Sequence, residues 1–417
     1  MNKLIVVISQ FQYRPLVQLI LICCVSIMFN SRSFFIGAIT ALAIRMYGFL
    51  PKDQRAFRIT LLSLLILMIA TLTFFIKTDS TQGRLLIYKI SWRMFCEQWL
   101  TGIGMNRFGN EYLIYQAEYF RQGEYTMKEM LLADNTYFAF NDYWQWTVET
   151  GLLGFFFMVG LLFIVIHLIR FAIGSHFELV KTYSAVNALI VILTAALFTH
   201  VLEKLWCQVL VVIGLSILIG LRIGGAPGKK LRLAFLLIAS PFLIYPEVKK
   251  VLQNNTFKES AEASELSLYG YHQEGLRLFG KLHGLLKDDY RFLGAYAQAL
   301  ERSGKYQEAL QIYLTLSKMR ISNYTYYRIA ECYRYLKDPR AEYNYKHAIY
   351  TVPNRLAMRE ALFSYYLSQG KVTEAIDTGN ELLQVPVKIK SRRATDIRQR
   401  TRSQLNRLSY GSLRDML

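Results

Sequence analysis

Seven apolar runs crowd the first 246 residues, and no other feature of the sequence narrows the fold as much. They fall near residues 16–30, 34–49, 59–76, 151–169, 183–199, 206–221 and 232–245. The hydrocarbon core of a bilayer takes roughly 17–25 apolar residues of helix. A segment in lipid must satisfy its own backbone hydrogen bonds, so runs of this kind are expected as helices. The expectation for 1–246 is therefore a polytopic transmembrane helix bundle of about 7 spans. The first run leads straight into further spans, which argues against a cleavable leader. Charge is almost missing from the runs except at their ends, which argues against a channel or transporter.

Basic residues orient the bundle. Arg45, Lys52, Arg55 and Arg58 flank one connection, Arg170 and Lys181 a second, and Arg222, Lys229, Lys230 and Arg232 a third. The only acids in these three are Asp53 and Glu178, whereas the long connection 77–150 carries seven basic and nine acidic residues. The positive-inside rule places the three basic connections in the cytoplasm. Alternation then puts 77–150, and everything after residue 246, on the other side.

The remainder of the chain reads as a soluble helical protein with an internal period. Gly275, Ala309, Ala341 and Ala375 recur at steps of 34, 32 and 34 residues. "GKYQEALQIYLTL" from Gly304 and "GKVTEAIDTGNEL" from Gly370 each place a glycine five residues before the small one, and Gly270 precedes Gly275 in the same way. Tyr345, Ala348 and Pro353 hold later positions of the frame. This pattern resembles the tetratricopeptide repeat, in which paired helices approach at small residues and stack into an α-solenoid. The expected domains are thus 1–246 in the membrane, 250–387 in repeats, and a basic tail over 388–417. The fold class is all-α. Tyrosines of the repeats (Tyr324, Tyr326, Tyr327, Tyr333, Tyr335, Tyr343, Tyr345) serve either a partner groove or packing between helices. A protein partner is expected in such a groove. The tail carries Lys388, Lys390, Arg392, Arg393, Arg398, Arg400, Arg402 and Arg407 against Asp396, and suits an anionic lipid or phosphorylated glycan or else a solvated capping helix. Five cysteines at scattered spacing suggest neither a disulfide framework nor a zinc site.

The stretch "AFNDYWQWTVETGLLG" over 139–154 is unusual because it carries polar groups to the mouth of a span. On a helix, Asp142, Gln145 and Glu149 share a face, with Tyr143, Trp144 and Trp146 in other directions. Such a stripe is a site candidate where it meets a wet cavity, and otherwise a solvated helix start whose anions suit the dipole. Asn141 either positions a substrate or caps the helix. Arg32 stands at a span end in "FNSRSFFIGAITAL", Arg84 and Lys89 lie in "QGRLLIYKISWRMF", and Gly102 and Gly104 punctuate "WLTGIGMNRFGNEY". His200 falls at another outer span end, three residues before Glu203.

The order of these segments resembles the O-antigen ligase and polymerase superfamily over roughly residues 25–220. An SR-type span end is followed by a GR-aromatic stretch, a G-x-G, a long outer loop, N-x-Y-x-Q, and E-x-G-x-x-G leading into a span. Two departures stand out: Phe140 occupies the position where the family's ligases have a histidine before the asparagine, and the family usually carries more spans. The resemblance implies a membrane glycosyltransferase in the bacterial inner membrane, with the large loop and the repeats periplasmic. Its donor is a glycan on an undecaprenyl-diphosphate carrier; its acceptor is lipid A-core, another glycan or a protein. It implies no cofactor and no nucleic acid, with membrane lipids as surroundings. Arg84, Asp142 and Glu149 are the expected catalytic residues. Arg32, Lys89, Asn141, Tyr143, Trp144, Gln145 and His200 are the expected substrate contacts. The competing expectation is a non-catalytic membrane-anchored tetratricopeptide scaffold for envelope polysaccharide assembly.

Overall fold

The computed structural model describes residues 31–49, 78–174, 180–388 and 391–414. Within them lie 17 helices and no strand. The expected spans at 16–30 and 59–76 fall outside the described residues. The chain divides into two compact units. One comprises residues 1–84, 97–105 and 138–250, and the other 85–96, 106–137 and 251–417.

The first unit contains α1 (Arg32–Phe49), the opening of α2 (Thr78–Glu97), α5 (Asp142–Gly174), α6 (Val180–Ala195), α7 (Leu205–Ile223) and nearly all of α8 (Gly225–Leu252). Among its described residues two helices, Asp142–Ile173 and Leu205–Ile223, are long and apolar enough to cross a membrane. Only 11% of the most apolar window of the first is buried inside the protein. Phe156, Phe157, Phe163 and Ile164 stand outward on it. So large an apolar face calls for a lipid surrounding. The expected spans 34–49 and 183–199 correspond to shorter apolar helices, Arg32–Ile44 and Thr182–Ala195, and 232–245 lies inside α8. Helix α6 packs against both α1 and α7. A Cβ on Gly37 would sit 2.5 Å from the Val191 carbonyl oxygen, so α1 crosses α6 where a side chain is missing. Ala41, Val186, Leu189, Val191 and Leu218 fill the space around that crossing.

The second unit contains α3 (Phe108–Arg121), α4 (Met127–Leu132), α9 (Asn254–Leu268), α10 (His272–Leu286), α11 (Tyr290–Arg302), α12 (Tyr306–Met319), α13 (Asn323–Tyr335), α14 (Arg340–Thr351), α15 (Leu356–Ser368), α16 (Val372–Gln384) and α17 (Arg392–Arg414). From α9 to α16 the helices pack in consecutive pairs. All four pairs close with the same turn, in which an N–H reaches back five residues: Tyr271 to Leu266, Lys305 to Leu300, Asp338 to Tyr333, and Lys371 to Tyr366. This closure needs a left-handed residue, supplied by Gly270, Gly304 and Gly370 and, in the third pair, by Lys337. The periodic glycines of the sequence are these turns. Gly275, Ala309, Ala341 and Ala375 are all buried in the second helix of their pairs.

Part of the long outer connection belongs to this second unit, which periodicity did not indicate. Asn110 donates to the Lys318 and Met319 carbonyls and accepts from the Ile321 N–H. Asn135 and Asn323 exchange two hydrogen bonds, and the Tyr137 hydroxyl donates to the Ile321 carbonyl. The buried Gln116 amide donates to the Thr351 carbonyl. Asn354 aims its amide at the carbonyls of Met130, Leu131 and Ala133, at 3.0, 3.1 and 2.7 Å. These are carbonyls that the end of α4 leaves without helical partners. Asn354→Ala is expected to destabilise this docking by about 2–3 kcal/mol, since carbonyls shut away from water lose their donor. Hydrogen exchange over 127–137 reads this directly; wild-type protection there would show that Asn354 does not hold the segment.

The tail forms α17, which buries Ile397 and Thr401 and packs Leu405 against Gly379 and Phe363. Arg400 pairs with Glu360 at 2.7 Å, while Arg392, Arg393, Arg402 and Arg407 remain exposed. The repeat tyrosines divide between roles. Tyr333 and Tyr345 are buried, Tyr335 stacks on Tyr306, and Tyr326 and Tyr343 pack on His347. Cys207 and Cys332 are buried free thiols, and Cys96 is an exposed one.

Candidate functional site

The site is built at a break in α5. Gly151 has φ 66° and ψ −163°, so a short helix from Asp142 ends there and the apolar span begins anew. A broken helix leaves backbone groups unpaired, which is expensive near lipid. The segment 99–104 supplies the partners. Ile103 and Gly104 donate to the carbonyls of Val148 and Glu149, and Leu152 donates to Trp99 at 2.7 Å. The crossing has no space for side chains: a Cβ on Gly102 would lie 2.4 Å from the Glu149 carbonyl, and one on Gly151 2.4 Å from that of Leu100. Gly102 and Gly104 are thus a structural lock on the residue before the span, beyond the simple turn that paired glycines suggest.

The short helix carries the polar stripe. Asn141 accepts from the Trp144 N–H at 3.0 Å and caps the helix. The Asp142 carboxylate accepts from the N–H groups of Val201 and Leu202 at 2.8 and 3.0 Å, and so holds the connection 196–204. Tyr143 donates to the Leu193 carbonyl, and the half-buried Trp144 follows it. Gln145 accepts from the Ala139 N–H and turns its amide N–H group between Glu149 and Glu203, at 3.5 and 3.4 Å. Glu149 is only 6% exposed, whereas Glu203 stands at the rim.

Aromatic and basic side chains cluster around Phe140, immediately before this helix. The His200 ring stacks on Phe138, with centroids 4.1 Å apart, and meets the edge of Phe140 at 5.6 Å. The Arg84 guanidinium lies over the Phe140 ring at 5.6 Å. Phe140 adopts φ 54°, a left-handed conformation rare for a bulky residue, directly before the capping asparagine. The His200 Nδ1 is buried with no hydrogen-bond partner among the described residues. Burial and the nearby Lys204 lower the His200 pKa, so the ring is neutral at pH 7. Glu203 shifts the other way: withdrawal from water raises it first, and the Asp142 and Glu149 charges add to the rise.

Residues 17–159 match the family model for O-Antigen ligase. The matched stretch takes in Arg32, Arg84, the glycine crossing and the helix through Glu149, and ends before His200 and Glu203. Among curated proteins, none matches the chain. The similarity is to membrane enzymes that join or extend glycans, and the exposed apolar helices accord with membrane residence.

The structure places Arg84 and His200 on the Phe140 ring, and Gln145 against Glu149 and Glu203. Asp142 and Asn141 serve as backbone anchors beside them. Arg32 begins α1 and has no described contact with this group. Lys89 belongs to the second unit, where it donates to the Tyr119 hydroxyl at 2.7 Å and pairs with Glu129 at 2.9 Å. Glu203 and Phe138 are the two members that sequence reasoning did not select; the H-x-x-E spacing from His200 was the available signal for the former.

Proposed function

We propose that this protein transfers or polymerises a glycan from an undecaprenyl-diphosphate carrier at the periplasmic face of a bacterial inner membrane. The observation that carries this reading is the gathering, at the mouth of one span, of an arginine and a carboxylate pair within a stretch similar to O-antigen ligase. An acceptor hydroxyl forms a bond to the anomeric carbon while the bond from that carbon to the diphosphate breaks. Arg84 neutralises charge developing on the leaving diphosphate, because a guanidinium bonds phosphate oxygens in a planar fork. The Glu149–Glu203 pair receives the hydroxyl proton. Withdrawal from water and the neighbouring Asp142 and Glu149 charges make Glu203 a stronger base than an ordinary carboxylate. Asp142 fixes the connection that carries His200 and Glu203. His200, neutral with a free ring nitrogen, hydrogen-bonds the acceptor where Phe140 has displaced the family's imidazole. Four equivalent helix hairpins support a tetratricopeptide-like solenoid, and the charge asymmetry of the connections supports its lying in the periplasm.

Complementation tests the reading. Deleting the gene in its own cell is expected to remove a surface glycan that the wild-type gene restores. Glu149→Gln is expected to restore it about 10²–10⁴-fold less efficiently. In isolated membranes the transfer rate should fall with decreasing pH as Glu203 takes up its proton, above the usual carboxylate range. In Glu203→Gln that acid limb is expected to disappear, because the carboxyl group that takes up the proton is gone. An unchanged glycan profile on deletion would instead favour the membrane-anchored scaffold.

A further inference from the structure

A groove of about 890 Å³ opens in the second unit, on α13, α15 and the start of α17. Tyr324, Tyr327 and Tyr365 contribute to its wall, and Lys388 and Arg393 stand at its edge. The volume lies within the range of sites that take a sizeable ligand. We propose that this groove binds a glycan carrying carboxylate or phosphate groups; the proposal rests on the reading that the chain handles glycans.

Three observations select that chemistry. The acids of the groove are already committed: Asp134 to Arg355 at 3.2 Å, Glu331 to Arg334 at 2.5 Å, and Glu360 to Arg400 at 2.7 Å. Lys388 and Arg393 are exposed and have no ionic or hydrogen-bonding partner among the described residues. The surplus is therefore positive. Arg334, which also lines the groove, keeps a buried Nε with no partner beside its bond to Glu331.

The amide side chains of the groove point away from a peptide ligand. An extended peptide on a helical surface needs side-chain amides to meet its backbone, because helices have no free backbone donors or acceptors along their length. Asn323 is spent on Asn135 and Asn354 on the carbonyls ending α4. What remains is a set of tyrosine rings and cationic heads. Aromatic faces suit the C–H faces of pyranose rings, and lysine and arginine suit the anionic substituents.

The full-length protein in phosphatidylcholine nanodiscs, titrated with hexagalacturonate, maltohexaose or a hexaglutamate peptide, tests this. Hexagalacturonate is expected to bind best and to weaken as salt rises from about 50 to about 300 mM. The Lys388→Ala/Arg393→Ala double variant is expected to lose about tenfold in affinity for it. Both side chains are exposed, so the fold should survive, as circular dichroism and an unchanged melting temperature will show. Hexagalacturonate binding that ignores the double substitution overturns the proposal, as does equal binding of maltohexaose. Tighter binding of hexaglutamate overturns it in favour of an acidic protein segment. The titration involves no turnover, so Arg84→Ala leaves it intact, and a failure here is separable from a failure of the transfer reading.

Discussion

Arg84→Ala is expected to lower glycan transfer by about 10²–10³-fold while the protein accumulates in the membrane at its normal level. The leaving group is a diphosphate, and among the described residues no other cation is placed against Phe140 as Arg84 is. A donor aimed at developing charge acts mainly in the transition state, so its removal shows in rate more than in fold. The contact with the Phe140 ring is itself modest: a cation over an aromatic ring at an accessible site contributes about 0.5–1 kcal/mol. Arg84→Lys separates the two roles. Lysine keeps the charge but loses the planar fork, so it should recover part of the rate and no more. An arginine that merely anchors the helix at the membrane interface makes a different forecast, because lysine snorkels equally well there and would restore the full rate. Normal surface glycan in Arg84→Ala cells would remove Arg84 from the mechanism altogether.

What the sequence made legible, and what it did not, follows from the range of the interactions involved. Helices announce themselves through local periodicity, and in three of the four pairs a glycine five residues before the small residue marked a turn. The structure closes all four with the same hydrogen bond, the third through Lys337. The polar stripe was also readable, since Gln145 and Glu149 do meet one turn apart. Two things escaped. The apolar stretch around Gly151 reads as continuous helix, because only the approach of residues 99–104 rewards a break there. Periodicity also assigned the connection 77–150 wholly to the membrane domain. Residues 85–96 and 106–137 instead join the repeats, held by Asn110, Gln116, Asn135 and Asn354 through bonds to distant backbone. Single polar residues with partners some two hundred positions away leave no period to detect. Asp142 shows the same limit at the site: its spacing suggested a functional carboxylate, and its partners are the backbone N–H groups of Val201 and Leu202.

Gly151→Ala should strongly impair folding of the first unit. Its φ and ψ lie in a region that is essentially confined to glycine, where another residue costs about 1–3 kcal/mol in strain. The added Cβ would stand 2.4 Å from the Leu100 carbonyl oxygen and 2.6 Å from the Gly102 nitrogen. Both are backbone atoms, held by the hydrogen bonds that complete the break, so neither can swing aside as a side chain would. Relieving the contact separates segment 99–104 from α5 and strands the Val148 and Glu149 carbonyls. Strain and overpacking together predict a loss of about 3–5 kcal/mol. Gly160→Ala is the matched control. It lies in the same apolar helix, and its Cβ would meet nothing within 4 Å, so alanine there should be neutral or slightly stabilising. Thermal unfolding in detergent and protease sensitivity of 97–105 distinguish the two variants. Equal melting temperatures would mean that the glycine crossing is not what fixes Glu149. A selective collapse of Gly151→Ala would show that the carboxylate is held by backbone geometry, with its position set before any substrate arrives.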